Sequence, residues 1–319
     1  MADLRSKFKQ HTVTATLQCS GNRRADMNRN SRPANGLPWG PGAISNSEWT
    51  GVRLRDVLKD AGYSEDEESE NVKHVQFLGA EAYGSSIPID KAVDRHGDVL
   101  LVFQMDGQPL PRDHGYPLRV LVPGYVAARS VKWLSKIILS DEESSSQWQQ
   151  RDYKCFGPNQ GASGVDWASA PAIQELPVQS AITRVSDMSR HSEVDEKLLR
   201  VYGLNENAVV LEGYAFSGGG RRIVRVDVST DDGQTWKQAE LLNQEHQKGS
   251  KAWSWTNWRL VAPVDAVSRA FVVKAVDEAN NTQPETYAPY YNFRGNLTNS
   301  WHRIEYRQKQ PLSSEQRGG

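Results

Sequence analysis

The sequence has few cysteines, almost no net charge and no long apolar segment. Its 319 residues include only two cysteines, Cys19 and Cys155, whereas small secreted proteins held by disulfides usually carry more. Lysine and arginine total 38 against 39 aspartate and glutamate, so no overall basic field attracts nucleic acid. No apolar run approaches the roughly 20 residues that span a bilayer. We therefore expect neither a nucleic-acid partner nor a membrane partner.

Several common catalytic motifs are also absent from the sequence. It has no GxGxxG dinucleotide loop and no Walker lysine loop. It lacks CxxC and HExxH, which argues against a zinc site built from protein ligands alone. It also lacks the GxSxG elbow of a serine hydrolase. Dinucleotide, nucleoside-triphosphate, zinc and serine-hydrolase chemistry are therefore disfavoured.

The first half of the chain mixes strand and helix patterns. Residues 11–18 alternate and are rich in β-branched side chains, which predicts a strand that delivers Cys19 at its end. Residues 52–62 place their apolar side chains on one face, which predicts a short helix that ends at Gly62. Further strands are expected at 72–79, 98–105, 119–126 and 130–139, the last two buried on either side of an exposed loop.

In the second half of the chain, apolar and polar residues alternate with a period of two, as in β-strands. In residues 223–229, valines at 224, 226 and 228 alternate with Arg225 and Asp227, and Asp232-Gly233 is a hairpin signal. The stretch from 154 to 177 is rich in Gly, Pro and Ser and predicts a domain boundary. We predict an α+β protein: a mixed α/β domain over residues 1–163, then an immunoglobulin-like antiparallel β-sandwich over residues 171–310.

Cys19 lies in the segment TLQCSGNRR, which ends with two arginines, Arg23 and Arg24. A thiolate is a soft ligand that suits a polarisable transition metal, and the guanidinium groups of Arg23 and Arg24 would stabilise it. An isolated cysteine is more often a plain core residue. Both interpretations stay open on this segment alone.

Two later segments could hold an anion. His114 and Arg119 are five residues apart in a turn rich in Pro and Gly, where both could grip one phosphate. Ser130 and Lys132 follow a Pro-Gly turn, where exposed backbone N–H groups and a lysine could form an anion cradle. A solvated turn with a salt bridge, and an ordinary strand start, are the simpler alternatives.

Two further positions combine a polar side chain with aromatic or charged neighbours. Tyr153 lies between Asp152 and Lys154, so its phenol could hydrogen-bond a substrate oxygen. Arg294 follows a run of aromatic residues near the end of the second half. Taken singly, they are equally compatible with a boundary aromatic and a surface arginine.

Taken together, these segments closely resemble the eukaryotic sulfite oxidase family of molybdenum-cofactor enzymes. The resemblance extends from Thr14 to Arg303, and the motifs follow the order of the family. They are TATLQCSGNRR, GLPWGPGAIS, WTGVRLRDVL, PLPRDHGYPLRVLVPG, ARSVKW, QRDYK, SAPAIQELPVQSAIT, GYAFSGGGRRIVRVDVSTDDGQTW and NFRGNLTNSWHR.

The resemblance implies a sulfite-oxidase molybdenum domain, followed by an immunoglobulin-like dimerisation domain, and a molybdenum–molybdopterin cofactor. Cys19 matches the cysteine that ligates molybdenum beside the pterin dithiolene. The positions implied to hold the cofactor are His114, Arg119, Ser130, Val131 and Lys132, with Glu81 as the candidate acidic contact near residue 80. The positions implied to line the oxyanion pocket are Arg24, Trp39, Asp152, Tyr153 and Arg294.

The implied activity is the two-electron oxidation of sulfite to sulfate by a homodimer. Cytochrome c or oxygen is the implied electron acceptor. The implied location is the mitochondrial intermembrane space, with the peroxisome as the alternative. Nitrate reductase shares the fold and cofactor, but its residue at the position of Arg294 looks like methionine, so Arg294 favours sulfite.

The sequence departs from the family pattern in two ways. The family's molybdenum domain begins upstream with an Asn-His-x-Pro-Val-Pro segment and a catalytic arginine, and neither occurs here. The His-Pro-Gly-Gly haem-binding motif of animal members is also missing. The resemblance therefore predicts an N-terminally incomplete molybdenum domain with no haem domain in this chain. A catalytically impaired, dimerising fragment of the family is the alternative.

Overall fold

The computed structural model describes residues 1–64, 71–187, 200–201, 208–245, 251–264 and 270–306. The first half of the chain contains five short helices and eight strands among these residues. They are α1 (Ala2–Lys7), β1 (Gln10–Gln18), α2 (Arg24–Asn30), β2 (Ile44–Arg53), α3 (Leu54–Asp60), β3 (His74–Gly79), β4 (Gly84–Pro88), α4 (Ile89–Val93), β5 (Leu100–Met105), β6 (Gln108–Pro109), β7 (Arg119–Leu121), β8 (Leu134–Ser140) and α5 (Gln147–Gln150).

These strands form two antiparallel sheets. One sheet has the order β1-β2-β5-β6, with β7 also paired to β5, and the other has the order β4-β3-β8. Apolar residues from both sheets and from α3 and α4 pack in one core, which includes Leu54, Phe77, Ile87 and Phe103. Burial of such side chains is the main favourable contribution to folding. The core holds the two sheets in a fixed relation around the loops that follow β1 and β7.

The predicted helix over 52–62 begins later than expected. Val52 belongs to β2, where it pairs with Leu101 of β5 and is fully buried. The helix runs from Leu54 to Asp60, and Gly62 then adopts a left-handed φ of 95°. The apolar residues around Val52 fit a strand face as well as a helix face, so the pattern alone placed the boundary wrongly.

The sequence predicted two buried strands, at 119–126 and 130–139, with an exposed loop between them. The second strand and the loop differ from this prediction. Strand β8 starts only at Leu134, and none of its residues is fully buried, because it lies at the edge of its sheet. The loop before it is buried instead, and Arg129 has no exposed surface. The Arg129 guanidinium donates to the Ile173 carbonyl and to Gln149 Oε1, which fixes the loop in the interior.

The second half of the chain is an antiparallel β-sandwich. Its strands are β9 (Gln179–Asp187), β10 (Ala208–Phe216), β11 (Ile223–Ser229), β12 (Lys237–Gln238), β13 (Glu240–Leu242), β14 (Thr256–Pro263), β15 (Ala270–Asp277) and β16 (His302–Glu305). They form sheets of order β13-β14-β10-β9 and β12-β11-β15-β16. Leu211 and Trp258 of one sheet pack with Val226 and Phe271 of the other. The predicted α+β class is confirmed.

Strand β11 matches the predicted range, but one of its valines does not face the core. Val226 and Val228 are buried, whereas Val224 is 41% exposed. A bulge between Ile223 and Arg225 interrupts the pairing with β15, so the alternation of sides is broken there. The hairpin signal is confirmed, because Asp232 and Gly233 both have positive φ and β11 pairs with β12 after them.

The segment proposed as a domain boundary contains little regular structure. Between 154 and 177 there is one 3₁₀ turn, Trp167–Ser169, and isolated bridges join Lys154 to Ala172 and Tyr125 to Glu175. The boundary itself stays a prediction. None of the helices in the described ranges is both long and apolar enough to cross a membrane.

Candidate active site

A cavity of about 480 Å³ opens where the loops after β1, β3 and β7 meet. Seven of the residues singled out from the sequence lie in its wall: Cys19, Glu81, Arg119, Ser130, Val131, Lys132 and Tyr153. The wall does not include Arg24, Trp39, His114, Asp152 or Arg294. The sequence motifs therefore converge on one site, and the remaining five residues lie outside its wall.

Cys19 follows directly after β1, so the strand delivers it to the cavity as predicted. Its N–H donates to the Ala43 carbonyl at 3.0 Å, and the Gly21 N–H lies 3.4 Å from its sulfur as a donor. The thiol is free and half-buried, and it faces a cavity. This placement differs from that of a cysteine that only fills a core.

Arg24 lies just behind Cys19 and is 7% exposed. Its Nε donates to the Arg294 carbonyl at 2.9 Å, and its Nη1 donates to the Leu37 carbonyl at 2.7 Å. Burial lowers the pKa of Arg24, the sulfur of Cys19 opposes that shift, and the neighbouring charge of Arg294 adds to it. The guanidinium thus fixes two loops through backbone carbonyls, one in each loop.

Three glycines make room for the Arg24 side chain. A Cβ on Gly21, Gly36 or Gly295 would lie less than 3 Å from Arg24 atoms. Gly36 and Gly295 also have φ angles of +129° and +59°, which residues other than glycine rarely adopt. The motifs SGNRR, GLPWG and NFRGN therefore each supply a glycine for the same arginine.

Tyr153 lies in the cavity wall, beside the Asp152–Arg294 ion pair. Arg294 Nη2 lies 3.2 Å from Asp152 Oδ1, and both side chains are about one-quarter exposed. Burial is the main cause that raises the pKa of Tyr153, and the nearby Cys19 sulfur and Asp152 carboxyl group add to it. A phenol with a raised pKa keeps its proton at neutral pH, so it can donate to an oxyanion. Arg294 Nε is buried without a hydrogen-bond partner among the described residues.

Arg119 is the buried cation of the cavity wall. Its Nη1 donates to the His114 carbonyl and its Nη2 to the Ser130 carbonyl. Its Nε has no partner within the described part of the chain. Burial lowers the pKa of Arg119 to about 10, which leaves it protonated at neutral pH. A buried guanidinium with a vacant donor is suited to an anionic ligand.

Of the other predicted phosphate contacts, some line the cavity and some do not. Lys132 Nζ donates to the Asp113 carbonyl, and the Ser130 hydroxyl accepts from the Val122 N–H. The His114 side chain is exposed, and only its backbone carbonyl contacts Arg119. Lys132 and Ser130 therefore line the cavity, whereas the imidazole of His114 does not. Their roles toward a phosphate stay predictions.

Trp39 and Glu81 lie at the outside of this region. Trp39 is 45% exposed, and its carbonyl accepts from the Ala25 N–H. Glu81 is exposed in the turn between β3 and β4, where it lines both the main cavity and a neighbouring one of about 510 Å³. The role of Trp39 in the oxyanion pocket and the role of Glu81 as a cofactor contact stay predictions.

Three aromatic residues of the cavity wall were not singled out from the sequence: Tyr83, Trp133 and Trp148. The rings of Tyr83 and Trp148 are 4.6 Å apart, and the Tyr83 hydroxyl donates to the Ala128 carbonyl. Tyr83 and Trp133 directly precede β4 and β8, and Trp148 lies in α5, so no spacing along the chain marks them. Only the general abundance of tryptophan, ten in the chain, signalled aromatic sites.

The donor set of the cavity fits a metal that arrives within a cofactor. The described residues hold no group of three or more His, Cys, Asp and Glu side chains that could bind a metal ion. Cys19 can supply one thiolate, so the other ligands of a metal there must come from a non-protein group. The vacant donor of Arg119 suits a phosphate on that group. The arrangement is that of a phosphate-bearing metal cofactor site.

Two family comparisons agree with this chemistry. Residues 1–148 match the family described as an oxidoreductase molybdopterin binding domain, and residues 170–309 match the Mo-co oxidoreductase dimerisation domain. The two halves of the chain therefore match the two domains of molybdenum-cofactor oxidoreductases.

Individual proteins narrow this class further. The chain is 48% identical to mitochondrial sulfite oxidase of Rattus norvegicus over 93% of this chain and 53% of the relative. It is 39% identical to sulfite oxidase of Arabidopsis thaliana over 95% of this chain and 77% of the relative. The crystal structure of the sulfane dehydrogenase SoxCD from Paracoccus pantotrophus has a TM-score of 0.71 and 27% identity, over 94% of this chain and 69% of that one. The chain belongs to the sulfite oxidase family, and it spans about half the length of the rat relative.

Proposed function

We propose that this protein catalyses the molybdenum-dependent two-electron oxidation of sulfite to sulfate. The observation that carries the proposal is the convergence of a free thiol, a protonated phenol and a buried cation on one cavity. Cys19, Tyr153 and Arg119 all line it. A soft ligand, an oxyanion donor and an anchor for a phosphate are the three functions that this reaction requires of the protein.

Each of these groups has a separate role in the proposal. Cys19 would hold the molybdenum of molybdopterin, and Arg119 and Lys132 would hold the phosphate of the cofactor. Bound cofactor supplies the redox chemistry: sulfite and water become sulfate, two protons and two electrons. Arg294 Nε and the Tyr153 hydroxyl would orient the substrate oxygens and stabilise the negative charge that they carry in the transition state.

Sulfite is favoured over nitrate as the substrate because of Arg294. A planar guanidinium can bind two oxygens of a divalent oxyanion at once, and the position looks like methionine in nitrate reductases. Here Asp152 positions Nη2, and Nε is left without a partner among the described residues. A methionine side chain has no charged donor, so the nitrate reductase alternative has no counterpart of this cation.

The assembly and the surroundings of the enzyme form a second part of the proposal. We infer a homodimer through residues 171–310, and a catalytic domain over residues 1–163, with electrons passing to cytochrome c or oxygen. The match to a dimerisation domain supports the dimer. The mitochondrial designation of the rat relative supports a mitochondrial location. Sedimentation and parallel assays with both acceptors test the dimer and the acceptor.

The central experiment measures molybdenum per chain by mass spectrometry, together with sulfite-dependent reduction of ferricyanide. We expect about one molybdenum per chain, and turnover that Cys19→Ser abolishes. Cys155→Ser is the matched control, because burial raises the pKa of Cys155 to about 12 and the residue does not line the cavity. A folded dimer without molybdenum would instead support the catalytically impaired fragment. A molybdenum-loaded protein that reduces nitrate but does not oxidise sulfite would support the nitrate reductase alternative.

A further inference from the structure

The side chain of Asn296 is 1% exposed and connects two loops of the active site. Its Oδ1 accepts from the Ser20 hydroxyl at 2.9 Å and from Arg24 Nη2 at 3.4 Å. Its Nδ2 donates to the carbonyls of Asp152 and Lys154, each at 3.2 Å. A primary amide offers two acceptor sites and two N–H donors, so all four are used.

Three of the four partners belong to the segments that carry Cys19 and Tyr153 in the cavity wall. Ser20 directly follows Cys19, and the carbonyls of Asp152 and Lys154 lie on either side of Tyr153. Both Cys19 and Tyr153 face the cavity. A single amide therefore bridges the segment that carries the thiol and the segment that carries the phenol, although it does not itself line the cavity.

Asn296 is in turn held in place by Asn292. The Asn292 Oδ1 accepts from the Asn296 N–H, and the Asn292 Nδ2 donates to the Asn296 carbonyl, both at 3.0 Å. The next residue, Leu297, donates its N–H to the Ser20 carbonyl at 2.7 Å. These hydrogen bonds hold the backbone of Asn296 in place. A residue that positions other side chains needs to be fixed in this way.

We propose that Asn296 is a positioning residue, which sets the distance between the Cys19 sulfur and the Tyr153 hydroxyl. The proposal rests on the proposed function, since it names how two residues of that site are placed. Aspartate at 296 keeps the acceptor contacts with Ser20 and Arg24 but turns an oxygen toward the two carbonyls. Alanine loses both sets of contacts. The two substitutions therefore separate the Cys19 side of the site from the Tyr153 side.

The first experiment uses protein produced in a host that makes no molybdenum cofactor. Iodoacetamide alkylation of Cys19 is followed by peptide mass spectrometry in Asn296→Ala, Asn296→Asp and the control Asn299→Ala. Asn299 lies in the same loop, and its amide donates to the Val178 carbonyl, away from the cavity. We expect Asn296→Ala to alkylate several-fold faster than the control, and Asn296→Asp to alkylate at the wild-type rate.

The second experiment measures sulfite turnover in the molybdenum-loaded proteins. We expect both Asn296 variants to lose on the order of 10²-fold in kcat with little change in KM, because displacement by about 1 Å costs that much. Asn299→Ala should keep wild-type kcat. If Asn296→Ala does not fold, Asn296→Asp against Asn299→Asp tests the Tyr153 side alone.

Two results would overturn the proposal. One is a kcat of the folded Asn296 variants equal to that of the Asn299 control, in a preparation whose wild type is active. The other is an alkylation rate of Cys19 that neither substitution changes. A wild-type protein without sulfite turnover would instead contradict the proposed function, and the alkylation rates would still decide whether Asn296 places Cys19.

Discussion

Arg23 and Arg294 both join the two halves of the chain, but their surroundings differ. Arg23 has no exposed surface, and its donors reach Asp26, Gln179 and Tyr287, as well as two backbone carbonyls. Arg294 is partly exposed, pairs with Asp152 and keeps Nε without a partner among the described residues. A guanidinium whose donors are all occupied holds a fold together, whereas one with a vacant donor beside a cavity can bind a ligand.

The same difference separates the other buried arginines. Arg129 donates to the Ile173 carbonyl, Ser85 and Gln149, and so belongs with Arg23. Arg119 keeps a vacant Nε in the cavity wall, and so belongs with Arg294. The pKa shifts do not follow this division. Burial lowers the pKa of both Arg119 and Arg129 to about 10, whereas the oxygens of Tyr287 and Asp26 raise the pKa of Arg23 against the effect of burial, so the occupancy of the donors is what separates the two classes.

The largest effect is expected from Arg23→Met. Removing this side chain leaves Asp26 without its buried partner and the Gln179 oxygen without its donor. Breaking a buried ion pair by removing one member typically costs about 3–5 kcal/mol, so urea unfolding should show a loss of that size.

The control for Arg23→Met is Arg184→Met. Arg184 is 61% exposed and pairs with Glu212 at the surface, so its loss should cost less than about 1 kcal/mol. Equal losses in the two variants would mean that the Arg23 contacts do not hold the halves together.

A smaller effect, on binding rather than on stability, is expected from Arg294→Met. The KM for sulfite should rise about tenfold or more, because the oxyanion loses a charged donor. The urea midpoint should stay close to that of wild type, since the Asp152 pair is only partly buried. Steady-state kinetics, with Arg225→Met as an exposed control, provide the measurement. A KM that does not change would remove Arg294 from the substrate site.

From the sequence, Cys19, Arg119, Tyr153 and Arg294 were assigned to the site only through the family resemblance. Each local segment by itself was equally compatible with a structural or surface residue. Arg129 could not be distinguished from a surface arginine, because its partners Ser85, Gln149 and Ile173 are far away in the chain. The aromatic wall of Tyr83, Trp133 and Trp148 was missed for the same reason.

Elements of the fold followed the same rule. The range of β11 and the position of the turn at Asp232-Gly233 were predicted from the sequence, because alternation and turn chemistry are local signals. The exposure of Val224 depends on a bulge opposite β15, and the partial exposure of β8 depends on its place at the sheet edge. Both are properties of the partner strand, which no local pattern reports.

Lys91 is a half-buried cation whose surroundings differ from those of both groups of arginines. Its Nζ donates to the Gly97 carbonyl at 3.1 Å and lies over the rings of Trp253 and Tyr125 at 4.4 and 5.1 Å. Burial is the main cause that lowers the pKa of Lys91 to about 8. The charged groups around it are Asp94, Asp98 and Glu175, which raise the pKa, and Lys251, which lowers it.

The sign of the pH dependence follows from this shift. Between pH 8 and the usual lysine pKa of 10.5, the unfolded chain binds the proton more than the folded chain does. The free energy of unfolding should therefore gain a contribution from Lys91 as the pH rises through this range, and that contribution should be constant below it. Urea unfolding of wild type and Lys91→Met from pH 7 to pH 10 should show the difference between them changing mostly above pH 8. Curves that stay parallel would show that the rings and carboxylates fully compensate the burial of this charge.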